Sequence, residues 1–522
     1  MLCTHNKLKL FNIFSEILTN YQNIMKKTIT SLFVLFVLFS CSKEENNESL
    51  NAMQQDPSTP LTIDEINSKI EIQLNQGETF DWKNESDHML WSAVYHGNNI
   101  LTIGYGEDGQ SFSEVPTSKL DTTKDNILKI VEANENYTRS KETVIEHEII
   151  NVVDVKVENF KTIQKLRKTK GIRYLQPNGY NHFGKELEQK SSSGCDKTGV
   201  GINAAHYTTV APNNAQVSWH FNEHNIPQAW NYSTGAGVTI GLIDTGVSQS
   251  QVLLNSSGIN DGYSNGRFVQ KYGTFIDSNW WWSSNYDGPH DKCGHGTAMA
   301  STMAAPRNDN GMPVGVAYNA NLVAYRATED VLLNDYHERK GVSAALTQLA
   351  NRSDVKIISM SIGYVWSIGN IKDAVKYAYS KNKLIFAAGG TSTSFTNGYG
   401  VIFPASMNET VAVTGVTDGN NYERCDVCHS GDKIDFTIIM EGDNNTSKHP
   451  PVLGFYNNQR RYTGGSSVAT ATTAGIAALV WAKHPSWSRS QVLNKLKQSA
   501  EFYPNRNSSF GYGNIDALLA VQ

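Results

Sequence analysis

The sequence predicts an α/β fold built on a doubly wound parallel sheet, preceded by a smaller α+β domain. From about residue 215, short apolar strands alternate with helical segments. The strands are apolar at nearly every position, which indicates burial on both faces. The region before residue 185 mixes strand and helix patterns without this alternation. In a parallel sheet covered by helices, ligands bind at the carboxyl ends of the strands.

Individual segments support this assignment. The predicted strands of the parallel sheet are GVTIGLID (237–244), VKIISMSI (355–362), KLIFAAG (383–389) and TVAVTGV (410–416). GVSAALTQLANR and IKDAVKYAYSK have helical periodicity and lie between them. Upstream, ETVIEHEIINVVDVKV predicts a strand. FKTIQKLRKTKGIRYLQ predicts an amphipathic helix, a turn at Gly171 and a strand from Ile172 to Leu175.

Composition limits the function classes. The chain has 522 residues, of which 39% are hydrophobic and 18% charged, which suits a folded, soluble protein. Its formal net charge of −5 gives no electrostatic reason to propose nucleic acid as a partner. Six cysteines are too few for a disulfide scaffold.

The region around residue 30 resembles a bacterial lipoprotein signal. Met25-Lys26-Lys27 precedes the apolar run TITSLFVLFVLF, and a small residue stands before Cys41. A transmembrane helix is the alternative, but the run is short and the polar SKEENNESL follows it. We therefore expect an N-terminal extension and signal peptide in 1–41, lipidation of Cys41, and a tether in 42–60. This implies a membrane anchor at the outer membrane or cell surface.

Three polar residues stand beside glycines at the ends of predicted elements. Asp244 ends a buried strand, His295 lies between glycines before a small-residue helix, and Ser467 lies at the start of another such helix. Each has a purely structural alternative: a turn cap, a structural histidine or a helix N-cap. Together, a carboxylate, an imidazole and a hydroxyl are the parts of an activated nucleophile.

The segments around these residues resemble the subtilisin-like serine peptidases. TIGLIDTGV, GHGTAMA and GGSSVATATTAG resemble the family's aspartate, histidine and serine blocks, in that order, and further similar blocks extend over roughly 215–520. The resemblance implies a serine endopeptidase whose catalytic domain occupies 191–522 and cleaves protein or peptide substrates. Ser467 would attack the scissile carbonyl, His295 would transfer the proton, and Asp244 would orient the imidazole.

The resemblance also suggests how substrate and oxyanion are bound. Ser361-Ile362-Gly363 would offer a strand edge to an extended peptide, and the N–H of Ser467 would contribute to the oxyanion hole. However, Gly390 stands where most members of the family have an oxyanion-hole asparagine.

We expect Thr391 or Ser392 to supply the missing donor, with Asn397 as a further alternative. The departure at Gly390 also supports a competing interpretation. In that interpretation, the chain is a weak or inactive member of the family that acts as a surface binding protein.

The region before the catalytic domain has its own counterpart in the family. LRKTKGIRYLQPNGY resembles the end of an inhibitory propeptide. We expect 61–190 to be a propeptide-like domain that binds the catalytic domain and is cut within 185–196, with release of the protease from its lipid anchor after processing. A permanent N-terminal domain is the alternative.

The cysteines leave several interpretations open. CDVCH (425–429) is the attachment signature of a c-type haem, so electron transfer is a hypothesis from another class. A local disulfide or a small metal clip is the favoured interpretation. Cys293 is either a free thiol or the partner of Cys195.

The sequence assigns no metal ligands and predicts no cofactor, apart from a structural calcium ion that the family resemblance allows. Asp287 and Asp291 are the residues considered for it; the alternative is that they are solvated loop residues.

Overall fold

An antiparallel four-stranded sheet lies in the first part of the described chain. The structure is a computed structural model, and it describes residues 59–113, 117–184, 194–211, 214–391 and 400–522. The signal segment and Cys41 lie outside these residues. The elements of this region are α1 (Ile63–Asn75), α2 (Asp87–His96), β1 (Ile100–Tyr105), α3 (Ser118–Glu135), β2 (Val144–His147), β3 (Val152–Lys156), α4 (Phe160–Arg167) and β4 (Ile172–Gln176). The strands of the sheet have the order β2-β3-β1-β4.

The strand predicted over ETVIEHEIINVVDVKV is wrong as a single element. A 3₁₀ turn, Glu148–Ile150, divides it into β2 and β3, which pair antiparallel. Asn151 has φ +52°, a left-handed conformation that reverses the chain and that asparagine tolerates. The helix and strand predicted after it are confirmed as α4 and β4, and Gly171 between them has φ +82°.

A seven-stranded parallel sheet forms the centre of the remaining chain, and a two-stranded antiparallel pair precedes it. The strands of the pair are β5 (Tyr207–Val210) and β6 (Ala215–Ser218). Those of the parallel sheet are β7 (Thr239–Asp244), β8 (Val269–Gly273), β9 (Asn321–Arg326), β10 (Val355–Met360), β11 (Leu384–Ala388), β12 (Val411–Thr417) and β13 (Phe436–Glu441). Their order in the sheet is β13-β12-β11-β10-β7-β9-β8. The four strands predicted from sequence are confirmed as β7, β10, β11 and β12.

Helices cover both faces of this sheet, so the predicted doubly wound α/β fold is confirmed. Along β7, Ile240 and Leu242 contact one hydrophobic core, and Ile243 contacts the other. The remaining elements are α5 (Trp219–Glu223), α6 (Ile226–Ala229), α7 (His295–Ala304), α8 (Tyr336–Asn351), α9 (Gly369–Ser380), β14 (Pro451–Leu453), β15 (Arg460–Tyr462), α10 (Gly465–Lys483), α11 (Arg489–Gln498) and α12 (Ala517–Val521).

The central helix α10 is long and apolar enough to pass a length-and-composition test for a membrane span, and it is the one described helix that does so. Most of it is buried inside the protein. It packs against strands β10 to β13 and against α7, which explains why its side chains are small or apolar.

The strand order reverses between β7 and β10. From β7 the chain runs to the edge strand β8 and returns through β9, which lies next to β7, whereas β10 to β13 extend on the other side of β7. A crevice opens at the carboxyl ends of two strands where the winding direction changes. Asp244 is the last residue of β7, and Ser361 directly follows β10. The topology thus brings two of the predicted site segments to one crevice.

The N-terminal sheet packs on helices α8 and α9, and residues 60–522 form one compact unit. Arg173 of β4 donates to both carboxylate oxygens of Asp373 at 2.7 Å, and the Tyr174 hydroxyl donates to the same carboxylate at 2.8 Å. The Tyr336 hydroxyl of α8 donates to Asp154 at 2.7 Å. Buried hydrogen bonds to carboxylates therefore join the N-terminal sheet to helices α8 and α9.

We predict that Arg173→Ala lowers the free energy of unfolding by about 3 kcal/mol, because it leaves the Asp373 carboxylate buried without its cation. The side chains of Arg173 and Asp373 are only 9% and 3% exposed. Urea denaturation of the purified chain measures the change.

Arg352→Ala is the matched control, since it removes an ion pair with Asp354 whose side chains are 23% and 42% exposed. Such a pair contributes at most about 1 kcal/mol. Equal losses in the two variants would contradict the importance of the buried pair.

Candidate active site

A hydrogen bond joins the end of β7 to the start of α7. His295 Nδ1 lies 2.8 Å from Asp244 Oδ1, and both side chains are buried. A carboxylate only accepts, so the proton belongs on Nδ1 and the lone pair on Nε2. The Thr245 N–H also donates to Asp244 Oδ1 at 2.8 Å. The carboxylate is thereby fixed, and it fixes the imidazole in turn.

The two glycines that flank His295 are required by close backbone approaches. A Cβ on Gly296 would lie 2.2 Å from the Gly246 carbonyl oxygen. A Cβ on Gly294 would lie 2.2 Å from the Asp196 carbonyl oxygen, and Gly294 has φ +101°. A larger residue at 296 would push α7 away from the turn after β7, and one at 294 would push it away from Asp196. Gly296 therefore permits the close approach of His295 to Asp244.

Asp291 organises the loops around this hydrogen bond, a role that the sequence analysis missed. Its Oδ1 accepts from the N–H groups of Cys293 and Gly294, each at 2.8 Å, and from the Thr245 hydroxyl at 2.9 Å. Its Oδ2 accepts from the N–H of Thr297 at 3.0 Å. The carboxylate thus caps the start of α7 and ties it to the turn after Asp244. Its position four residues before His295, just ahead of a helix, was the available signal.

Ser467 shares a cavity with His295. Ser467 is the third residue of α10 and is partly exposed. It lines a cleft of about 300 Å³ together with His295, Ser361, Gly390 and other residues. Gly465 begins the helix with φ +77°. The structure brings the three residues predicted from sequence, Asp244, His295 and Ser467, to this region. His295 and Ser467 line the cleft, and Asp244 binds His295 on the side away from it.

The expected oxyanion residues adjoin the turn that carries Ser467. Gly390 and Thr391 both line the cleft. The Gly390 N–H donates to the Ser466 hydroxyl at 3.2 Å, and the Thr391 and Ser466 hydroxyl oxygens lie 3.0 Å apart. The Ser466 N–H donates to the Thr391 hydroxyl oxygen at 3.3 Å. Ser392 and Asn397 lie outside the described residues.

The predicted substrate-binding edge is partly occupied by the protein itself. Ser361, Ile362 and Gly363 line the cleft. The Gly363 N–H donates to the Val331 carbonyl at 3.0 Å, and the Gly363 carbonyl accepts from the Leu333 N–H at 3.2 Å. A peptide that pairs with Gly363 must displace this segment. The Ser361 hydroxyl donates to the Ser467 carbonyl oxygen at 3.1 Å.

Four cysteines form two disulfides. Cys195 is bonded to Cys293, which decides between the two interpretations of Cys293. Cys425 is bonded to Cys428, so of the two interpretations favoured from sequence, a local disulfide and a metal clip, the structure has the disulfide. A disulfide leaves neither thiol of CDVCH to form a thioether with a haem, so the electron-transfer hypothesis loses its chemical basis.

The aspartates considered for calcium have other partners. Asp287 pairs with Lys292 at 2.8 Å and with Arg326, and the hydrogen bonds of Asp291 are those described above. Within the described ranges, no group of three or more His, Cys, Asp or Glu side chains is arranged to hold a metal ion. A structural calcium ion stays a prediction without an assigned ligand set.

A second residue that the sequence analysis missed is Arg461, which lines the cleft and is largely buried. It donates to the Asp196 carbonyl, and its guanidinium lies 3.5 Å from the Asp196 carboxylate. Burial lowers the pKa of Arg461. Gly194 lines the same cleft, and a Cβ placed on it would lie 3.7 Å from His295 Cδ2. Residues 194–196 are thus held beside the histidine by Arg461 and by the disulfide to Cys293.

Comparison with known proteins identifies the family of the chain. The subtilase family matches residues 235–513, which include Asp244, His295 and Ser467. The chain belongs to the subtilase family. It is 32% identical over 319 residues to M-protease of Shouchella clausii (strain KSM-K16), covering 61% of this chain and 72% of that one. It is 31% identical over 307 residues to subtilisin BL of Lederbergia lenta, covering 59% of this chain and 99% of that one.

A solved subtilase resembles the chain over a longer range. Fervidolysin from Fervidobacterium pennivorans, described as a keratinolytic enzyme related to subtilisin, superposes with a TM-score of 0.56. The alignment covers 81% of this chain and 61% of fervidolysin, at 17% identity. At this identity the likeness shows the fold alone. Together with the family match, it establishes a subtilisin-like fold, as expected from the sequence.

Proposed function

We propose that the chain is a serine endopeptidase that cleaves protein or peptide substrates through Ser467. The observation that carries the proposal is the 2.8 Å hydrogen bond between Asp244 and His295, beside a cleft that Ser467 also lines. Relatives named as proteases support the reaction class. The alternative, an inactive surface binding protein, is disfavoured because such a role does not require this arrangement.

The proposed reaction follows from the tautomer of His295. Its Nδ1–H donates to Asp244, so Nε2 accepts the proton of the Ser467 hydroxyl as the oxygen attacks the scissile carbonyl. His295 then gives that proton to the leaving amine, and the peptide C–N bond breaks to leave an acyl-enzyme. Water hydrolyses the ester by the same proton transfers in reverse. Asp244 stabilises the imidazolium formed in each half-reaction.

For the oxyanion we propose two donors. One is the Ser467 N–H, which lies in the first turn of α10, where backbone N–H groups have no partner within the helix. The other is the hydroxyl of Thr391, with Ser392 as the alternative, because Gly390 has no side chain to donate. Thr391 lines the cleft and contacts the Ser466 hydroxyl at 3.0 Å, so it lies next to the nucleophile turn. For the substrate main chain we propose pairing with Ser361 and Ile362, and with Gly363 once the segment Val331–Leu333 is displaced.

We further propose that 61–190 is an inhibitory propeptide. Support comes from Arg339 of α8, which donates to the Leu333 carbonyl at 2.9 Å and to the Asn178 carbonyl at 2.8 Å. The buried guanidinium of Arg339 thereby connects the N-terminal domain to the segment 331–333, which pairs with Gly363. Departure of that domain removes the Asn178 carbonyl and the Tyr180 carbonyl, to which Arg339 also donates at 3.2 Å. The segment proposed to be cut, 185–196, includes Gly194, which lines the cleft.

Export as a lipoprotein anchored through Cys41 at the outer membrane or cell surface completes the proposal, with release when the propeptide is cut. The Cys195–Cys293 disulfide is consistent with an oxidising compartment. If the cut lies before Cys195, this disulfide keeps the new N-terminus beside His295. A permanent N-terminal domain, the alternative, predicts an uncut chain in active preparations.

We predict that Ser467→Ala abolishes hydrolysis of a denatured protein substrate, lowering kcat by at least about 10⁴-fold, because the nucleophile is lost. Asp244→Asn lowers kcat by about 10⁴-fold, because an amide no longer imposes the correct tautomer on His295. Rates are measured on the processed wild type and variants.

Ser466→Thr is the matched control. It keeps a hydroxyl beside Ser467, and the family usually has threonine there, so activity should be retained. A Ser467→Ala variant as active as the wild type would refute the assignment, and an inactive wild type would favour the binding-protein alternative.

We predict that Thr391→Ala/Ser392→Ala lowers kcat about 10²-fold with little change in KM, because an oxyanion donor acts only in the transition state. Single substitutions identify the donor, and Thr391→Ser should restore most of the rate if it is Thr391. An unchanged kcat in the double variant would rule out both hydroxyls.

A further inference from the structure

The CDVCH segment packs against the residue that replaces the family's asparagine. The Cys425–Cys428 disulfide closes a tight loop, and Cys428 forms an antiparallel bridge with Thr391. The His429 N–H donates to the Gly390 carbonyl at 2.9 Å. The motif that resembles a haem attachment site therefore acts as a backbone partner of Gly390 and Thr391.

The imidazole of His429 fills the space beside Gly390. A Cβ placed on Gly390 would lie 2.3 Å from His429 Nδ1 and 2.9 Å from its Cγ, and Gly390 has φ +127°. An asparagine at this position would collide with the ring and strain the backbone. The structure thus provides a physical reason for the departure from the family pattern: the ring and a side chain at 390 exclude each other.

The ring of His429 also forms a hydrogen bond with a second part of the chain, at Gly400. His429 Nδ1 lies 3.0 Å from the Gly400 carbonyl oxygen. A carbonyl only accepts, so Nδ1 carries the proton. The backbone of His429 thus binds Gly390 while its ring binds Gly400. A single residue ties together two points that are ten positions apart in sequence.

The imidazole of His429 is not the side chain that would stabilise the fold most in the space beside Gly390. It is 2% exposed, and its Nε2 has no hydrogen-bond partner among the described residues. Burying a polar atom without a partner costs free energy, whereas an apolar side chain of similar volume avoids that cost. Positioning of the backbone accounts for a histidine here better than stability does.

On its other side, the same backbone contacts the nucleophile turn. The Gly390 N–H donates to the Ser466 hydroxyl, and Thr391 contacts that hydroxyl too. Gly390 and Thr391 are therefore held between Ser466 and His429. A shift of His429 would move them relative to Ser467.

We propose that His429, braced by the Cys425–Cys428 disulfide, is a positioning residue that holds Gly390 and Thr391 in place to stabilise the oxyanion. This inference rests on the proposed peptidase function. His429 acts through the backbone it supports and does not itself line the cleft. Its loss affects the transition state more than substrate binding, because the oxyanion forms only as the carbonyl is attacked.

The test compares His429→Leu, which fills the space without a donor, with His429→Asn, whose amide N–H can reach the Gly400 carbonyl. We expect His429→Leu to lower kcat by about 10- to 100-fold with KM within about twofold, the cost of a small misplacement in a catalytic site. We expect His429→Asn to recover most of kcat. Melting temperatures are measured alongside the rates.

His224→Leu is the matched control. His224 is also a buried histidine, it accepts from the Ile439 N–H at 2.9 Å and bonds the Ile515 carbonyl at 2.7 Å, and it does not line the cleft. It should lower the melting temperature without lowering kcat. Cys425→Ala/Cys428→Ala supplies a second test if His429→Leu does not fold, and it should lower kcat in the same way.

The proposal is overturned if an active wild type keeps its kcat in His429→Leu, or in the double cysteine variant when His429→Leu does not fold. It is also overturned if His429→Asn loses as much kcat as His429→Leu. If the wild type hydrolyses substrate no faster than Ser467→Ala, the peptidase function itself is overturned. Failure of the positioning proposal and failure of the peptidase function are therefore distinguishable.

Discussion

The hydrogen bond between Asp244 and His295 is the interaction on which the rest of the site depends. It joins a strand end to a helix start across a gap that only glycines permit. Asp291 holds both sides of that gap. Because the Asp244 carboxylate holds the proton of the imidazole on Nδ1, Nε2 is the nitrogen that can accept a proton. The chemistry proposed for Ser467 requires that nitrogen.

The sheet topology explains why these residues meet. The strand order reverses between β7 and β10, and their carboxyl ends carry Asp244 and Ser361. The central helix α10 then packs across the sheet and brings Ser467 to the same crevice. Two further parts of the chain contact residues that line this crevice. The segment 331–333 pairs with Gly363 and is linked through Arg339 to the N-terminal domain. The CDVCH loop packs against Gly390 and Thr391. Both are additions to the nucleophile site that bear on how it binds substrate and stabilises charge.

Much of this was predictable from sequence because it depends on local pattern. Strands that are apolar at nearly every position predicted the parallel sheet, and polar residues beside glycines at the ends of elements indicated the candidate site. Other features depend on contacts between distant residues, which no local pattern encodes. The bond between Cys195 and Cys293 spans 98 positions.

The departure at Gly390 from the family pattern was visible in the sequence, but its physical reason, the ring of His429, was not. The 3₁₀ turn that divides β2 from β3 was missed because isoleucines continue the apolar pattern through it.

The most direct test of the account is to identify the residue that a fluorophosphonate probe modifies in the processed protein. Such probes phosphonylate a serine whose hydroxyl is activated by a neighbouring base. Peptide mapping by mass spectrometry should place the single adduct on Ser467, and Asp244→Asn should slow its formation. No adduct on the processed wild type, or an adduct on Ser466, would contradict the account.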